Sequence, residues 1–460
     1  MANRLKNHNI TSQSNIVRKI RNWSICILLI KFVIIFNIPA QLAQLGTGEN
    51  IIVKGIWPGS DAENYLMAYL GLIKDGVFSS AGSLNYFPAG YPLFIYLLSF
   101  FGKSWVFITL PIVQSTIFSF AAYLFATQLA KTRLQKYSYL VFLFIILNPT
   151  LSLYSLIIGY ESLTASGFLI VLALITKDLV EKNEKNFLKY LVINSLVIGF
   201  LSFVQPRLIV SGIILNLVWI LSRRAIKIAS YMVALTLLLT LFFPATLVFR
   251  NNKAIGENVI STNLGGAMMI GAGDKATGGY VVGDTGIKCD TTGSVGEQDS
   301  QRVRCAIDWY LSNPEKLPKL FFNKTIYFWS PWSGPLGNGT MARNPWLEIN
   351  PIQQIIYTSD GNRLVFGSFG KAISWLWIFG GLMLMVYGYL VTWRQRGIEQ
   401  LIANLALSAI VLNTAISLVT IGDHRFRLPI MGLSLFLQAI GLKTLLRGGR
   451  AQMVDQPRLR

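Results

Sequence analysis

Long apolar runs alternate with short polar turns along most of this chain, and several runs reach about 18 residues, the length that spans a bilayer. The pattern predicts a first span at about Trp23–Leu42, with Lys31 inside it, and a second at about Ser104–Leu129. A third follows at about Tyr137–Leu156, and a fourth ends near Lys177. The fifth ends at Gln205-Pro206-Arg207, and the sixth returns to Arg223, Arg224 and Lys227. The seventh runs from about Ala229 to Phe249, the eighth ends at Arg394 and Arg396, the ninth covers about Leu401–Val419, and the tenth returns to a basic tail.

Between the first two spans the period changes. Ala62, Tyr65, Leu66, Tyr69, Leu72 and Ile73 form one helical stripe, with Glu63, Asn64, Lys74 and Asp75 off it. The stripe predicts a helix that begins at Ser60 or Asp61, ends near Gly76 and lies on a membrane surface. Tyr91–Phe101 is apolar but too short to span, which makes it a second interfacial helix. The predicted fold class is an all-α membrane protein: a polytopic helical bundle of about ten spans. Interfacial helices occupy its first outer loop, and a mixed, Gly-rich extracytoplasmic loop domain follows the seventh span. The expected division is a cytosolic N-terminal tail (1–22), an N-terminal transmembrane region (23–249) whose first outer loop is 43–103, the loop domain (250–369), a C-terminal transmembrane region (370–446) and a basic cytosolic tail (447–460).

Composition agrees. The 460 residues are 53% hydrophobic and 13% charged, with mean hydropathy +0.50, against about 25% charged in soluble domains. A net charge of +20 would suit nucleic acid, but many Lys and Arg residues sit in the short turns between apolar runs. That is the positive-inside distribution, and it puts both termini in the cytosol. About twenty polar and basic residues precede the first run, so it reads as a retained anchor and not a cleaved leader. The expected location is the plasma (inner) membrane, multi-pass. Cys26 reads as inert packing in the first span, whereas Cys289 and Cys305 share one outer loop where a disulfide can form. With only two histidines and no CxxC pair, a structural zinc site is not expected. The Gly-dense stretches Ser261–Gly266 and Gly271–Gly279 allow tight turns and close approach to a ligand. They match neither a dinucleotide nor a phosphate-loop signature. The sequons at Asn323 and Asn338 have meaning only in a eukaryotic secretory pathway.

Few acids lie at the expected outer boundary: Asp61, Glu63, Glu161 and Asp423. Arg207, Arg250, Arg425 and Arg427 are the cations at that level. A carboxylate near arginines suits group transfer from a phosphate leaving group to a hydroxyl, with the acid taking the proton and the guanidinium groups holding the phosphate. Structural readings stand beside this one. Ser60 and Glu63 have capping-box spacing, Asp61 complements a helix dipole, Glu161 is a polar turn residue, and Arg425 and Arg427 snorkel. Trp329, Trp332 and Trp346 suit an interface belt.

Five stretches resemble the GT-C-fold membrane glycosyltransferases, the broad protein-mannosyltransferase-like group that uses polyprenyl-phosphate sugars. Asp61-Ala-Glu-Asn-Tyr65 resembles the first-loop acid motif, and Phe87-Pro-Ala-Gly-Tyr-Pro92 the element after it. Asn148-Pro149 through Glu161 resembles the third-span exit and second-loop acid. Arg250-Asn251 with Ser261–Gly266 and Gly278-Gly279 resembles the segment after the seventh span, and Arg425-Phe-Arg-Leu-Pro429 a late arginine turn. The resemblance implies a transferase with Asp61 as catalytic base and inverting chemistry. Substrate binding is expected of Glu161, Arg207, Arg250, Arg425 and Arg427, the charged residues at the outer boundary. The implied partners are a polyprenyl-phosphate-linked sugar, a glycan, lipid or protein acceptor, and the membrane, with the active site extracytoplasmic. No cofactor is certain. Ala62 follows Asp61 where some members carry a second acid, and a divalent cation stays open. The alternative is a transporter or flippase of a lipid-linked sugar, which would place ionisable groups near the midplane in repeated halves.

Overall fold

The computed structural model describes residues 2–46, 48–58, 61–223, 226–280, 283–330, 367–446 and 448. Ser60, Arg224, Trp332, Asn338, Trp346, Arg447, Arg450, Arg458 and Arg460 lie outside the described residues. The chain is an all-α polytopic membrane bundle. Among the described residues eight helices are long and apolar enough to cross a bilayer, within Gln13–Asn37, Lys103–Leu129, Glu161–Glu181, Glu184–Val204, Pro206–Arg223, Ala229–Ile255, Gly397–Val419 and His424–Leu446.

The remaining two expected spans differ from the rest. The third is broken: α6 (Gln135–Ile146) stops before Asn148-Pro149, and a short α7 (Pro149–Tyr154) begins there. Proline disfavours helical geometry in the residue before it and suits a first helical position. Asn148 accordingly is extended and caps α7 by accepting from Leu151 N–H at 3.0 Å. The eighth lies in the helix Gly367–Trp393, whose apolar part with described side chains is Ile378–Trp393. The first span is shifted too. Its helix α1 (Ala2–Asn37) ends ahead of Ile38-Pro39, and Gln41–Gln44 (β1) pairs with Asn50–Val53 (β2) as a small antiparallel hairpin. Cys26 is exposed on α1, so it is not core packing.

The first loop holds α2 (Ala62–Asp75), α3 (Gly82–Tyr86) and α4 (Gly90–Leu98). The apolar stripe of α2 faces protein: Ala62, Tyr65, Leu66 and Tyr69 pack with Tyr91, Ile95, Phe107, Leu110, Ile158 and Tyr160. Beneath it, α5 (Val106–Leu129) and α8 (Glu161–Glu181) pack side by side, and α8 also packs on α9 (Glu184–Val204). The bundle continues through α10 (Ile209–Arg223) and α11 (Ile226–Ile255). Phe118, Phe125, Phe142, Phe168, Trp219 and Phe436 are fully buried in the main core.

After α11 come α12 (Leu264–Gly271), α13 (Val295–Ser312) and α14 (Leu317–Trp329). The helices α15 (Gly367–Trp393), α16 (Gly397–Val419) and α17 (Leu428–Leu446) complete the order. The Gly-dense stretches expected to approach a ligand approach other chain segments instead. A Cβ at Gly271 would lie 1.7 Å from Thr420 O, and one at Gly278, at φ +99°, 2.8 Å from Lys324 N. The buried Lys324 fixes the same contact, donating to Leu418 O and Thr420 O at 2.7 Å and to the Tyr310 hydroxyl at 2.8 Å.

Cys289 and Cys305 are bonded, with Cα atoms 6.0 Å apart and a separation of 16 positions in sequence. Closing a loop of that size stabilises by about 3 kcal/mol. Mass spectrometry of non-reduced peptides is expected to recover the two joined; two free thiols would remove the bond from the fold.

Candidate active site

The site forms where three segments far apart in sequence meet. Asp61 stands immediately before α2, yet its side chain makes no capping bond. Its Oδ2 accepts from Arg425 Nη1 at 2.6 Å. Glu161 is the first residue of α8, where a helix N-terminus favours a negative charge. Its Oε1 accepts from Nε of the same Arg425. The three are 8%, 2% and 5% exposed. One guanidinium thus joins two carboxylates inside protein, where charge-assisted bonds are strong and a lost partner is costly.

The strand pair explains why the carboxylates arrive together. Trp57–Pro58 (β3) runs parallel to Ile157–Ile158 (β4), which registers the approach to Asp61 against the approach to Glu161. The arginine comes from a tight turn after α16. Asp423 accepts from Arg425 N–H at 2.8 Å and so caps a short 3₁₀ turn, His424–Arg427. Burial pushes the Asp423 carboxyl up to about 6, against the pull of that N–H and the neighbouring arginines.

Tyrosines wall the site. Tyr160 lies under the Arg425 guanidinium at 5.6 Å, and Tyr65 meets Tyr91 and Tyr160 edge-on at 4.9 and 6.3 Å. Burial drives the phenols of Tyr65 and Tyr91 well above their ordinary range and that of Tyr160 up to about 12, Arg425 opposing the last.

The other candidates divide. Arg207 lies over Phe426, with Cζ 3.8 Å from the ring centre, and donates from Nη2 to Phe426 O at 2.9 Å. Its Nε is buried with no acceptor among the described residues. Arg427 donates from Nη1 to Phe328 O at 3.2 Å and borders a cavity of about 50 Å³ with Asn148, Trp329, Ser434 and Gln438. Arg250 is not at a helix exit, because α11 continues to Ile255. Its guanidinium donates to Val77 O, Leu84 O, Asn85 Oδ1, Asn251 Oδ1 and Ser79 O, all but Asn251 belonging to the first loop. Glu63 accepts from Gly46 N–H at 2.7 Å and ties α2 to the hairpin. The reading of Ser60 as its capping partner falls outside the described residues.

Two participants were not singled out from the sequence. Tyr160 had only its place beside Glu161 as a signal, and Tyr91 only its place in the Gly-Tyr-Pro run. Among the described residues no group of three or more His, Cys, Asp or Glu side chains is arranged to hold a metal ion. Asp61 and Glu161 close on a guanidinium, and a divalent cation between them would have to displace it. These residues as arranged do not fit a metal.

No family model matches the chain, and no curated protein matches it. Among solved structures it is similar to the archaeal oligosaccharyltransferase AglB from Archaeoglobus fulgidus, solved in complex with an inhibitory peptide and a dolichol-phosphate. The identity is 12% and the TM-score 0.46, over 96% of this chain and 53% of that one. The chain thus spans about half the length of the structure it matches.

Proposed function

We propose that the protein is a membrane glycosyltransferase of GT-C type that moves a sugar from a polyprenyl-phosphate donor to an acceptor hydroxyl. The observation that carries this reading is the buried Asp61–Arg425–Glu161 triad, formed by the acid and arginine motifs that resemble that group. In the proposed step the acceptor oxygen bonds to the anomeric carbon and the bond from that carbon to the donor phosphate breaks. The hydroxyl proton goes to Asp61, and polyprenyl phosphate leaves with the bonding electrons. A direct displacement inverts the anomeric centre and needs no covalent intermediate.

Phosphate charge grows as that bond breaks, and preorganised donors stabilise it. Arg425 is one such donor, and the donor phosphate would compete with Asp61 for its guanidinium, freeing the carboxylate to act as base. The buried, unmatched Nε of Arg207 supports a second anion contact beside it. Arg427, which lines a cavity two residues along from Arg425, is a third candidate. Both acids stand at helix starts, Asp61 just before α2 and Glu161 first in α8, whereas transporters place ionisable groups within their spans.

The test is transfer by purified protein from a panel of radiolabelled polyprenyl-phosphate sugars to total membrane glycans. Donor binding is expected to weaken in Arg207→Lys, Arg425→Lys and Arg427→Lys, which keep the charge and lose the fork. Arg250→Lys is expected to loosen the first loop and to affect donor binding only through it. If Arg207→Lys, Arg425→Lys and Arg427→Lys all keep full donor affinity, the phosphate is held elsewhere.

A further inference from the structure

Glu161 is fixed from below as well as by Arg425. Its carboxylate folds back over Gly159, where a Cβ would come within 2.3 Å of Oε2. The Gly159 N–H donates to the Tyr91 hydroxyl at 2.8 Å, and that hydroxyl donates to Gln114 Oε1 at 3.0 Å. Gln114 Nε2 then donates back into the same turn, to Ile157 O at 3.1 Å and Ser155 O at 3.3 Å. Ser155 Oγ accepts from Lys31 Nζ at 2.9 Å, and Lys31 also donates to Ser152 O at 2.9 Å. Tyr91, Gln114 and Ser155 are wholly buried, and Lys31 nearly so, with its ammonium 4.5 Å from the Phe118 ring.

An ionisable side chain inside an apolar span is costly, and so is a polar network that is only partly satisfied. This one gives each of its side chains a partner and converges on a single object, the turn 155–159 that delivers Glu161. Gly90 belongs to the same arrangement. A Cβ there would lie 1.9 Å from Phe203 O, so glycine lets α4 close on α9 and carry Tyr91 inward.

We propose that Tyr91, Gln114 and Lys31 are positioning residues that hold the Gly159–Glu161 turn so that Glu161 keeps Arg425 in register with Asp61. This rests on the transferase reading. Their effect on the reaction passes through Glu161 and not through contact with substrate. The network also assigns a task to the Gly-Tyr-Pro run and to the lysine of the first span.

Tyr91→Phe keeps the ring and removes only the hydroxyl. In full-length protein in lipid nanodiscs we expect kcat to fall about 10- to 100-fold, the scale of a small misplacement at a reacting site. Donor KM should stay within about twofold, because ground-state binding is not what is lost. Hydrogen exchange of the peptide covering 157–162 should accelerate. Trp219→Phe is the matched control. It removes another buried bond, the 3.0 Å contact from Trp219 Nε1 to Asp178, and should lower thermal stability without changing kcat. Where Tyr91→Phe does not fold, Gly159→Ala displaces the same carboxylate and should give the same loss of kcat. The proposal is overturned by wild-type kcat in either folded variant, by unchanged exchange in Tyr91→Phe, or by a kcat loss equal to that of Trp219→Phe. If the wild-type chain transfers no sugar from any donor, the transferase reading fails, and exchange at Gly159 still decides whether Tyr91 holds the turn.

Discussion

Asp61→Asn is expected to lower turnover about 10²- to 10⁴-fold, the usual worth of a general base, in protein that still folds and binds donor. Asparagine keeps the size and one hydrogen-bond acceptor for Arg425 Nη1, and Glu161 still balances the guanidinium, so the pair is weakened and not stripped. What it cannot do is accept the acceptor hydroxyl proton. Asp61→Glu should recover little, because one extra methylene displaces the carboxylate by about an ångström, a shift that costs about 10²-fold. A capping role would give a different result: about 1 kcal/mol of helix stability lost and turnover near normal. The Asp61 carboxylate makes no capping bond to α2 and accepts from Arg425. The measurement is transfer rate and donor affinity on the same purified variant. Folded Asp61→Asn with wild-type turnover would end the assignment of Asp61 as base and leave Glu161 as the acid to test next.

The bundle was legible in the sequence because hydropathy over a long window reports spans with little reference to packing. It failed where a local rule overrode the window. Asn148-Pro149 sits inside an otherwise apolar run, and only the conformational demand of proline breaks the helix there. The α2 stripe was legible as an apolar face and was expected against the membrane surface, but amphipathicity alone does not say whether lipid or protein covers it; Tyr91, Phe107 and Ile158 do. The site was legible as a set of residue types. Its pairing was not, since Arg425 lies 264 positions from Glu161 and 364 from Asp61. Arg250 was legible as a cation near the end of a span, but not as one whose guanidinium donates to the backbone of the first loop.

Arg425→Gln is expected to be the most damaging single change in the protein. It removes the cation from between two buried carboxylates, and glutamine cannot reach both. Breaking a buried ion pair by deleting one partner typically costs about 3–5 kcal/mol, because the other charge is left without compensation; here two charges are left facing one another. Thermal unfolding of a large membrane protein is generally irreversible, so the observable is the half-life of the folded protein at a fixed raised temperature. Adding Glu161→Gln should restore part of that half-life, because one buried charge is then gone. It should not restore turnover, because no guanidinium remains to meet the donor phosphate. Arg425→Lys separates the two roles. Its charge is kept, but Nε and Nη1 serve different carboxylates, and a single ammonium on a flexible stem does not reproduce that fork. Its half-life should therefore lie between wild type and Arg425→Gln, while turnover stays low. Wild-type half-life in Arg425→Gln would mean that the guanidinium does not hold the carboxylates together. A half-life that falls in Arg425→Gln and does not recover with Glu161→Gln would place its stabilising contacts elsewhere, in the Asp423 turn or on Tyr160.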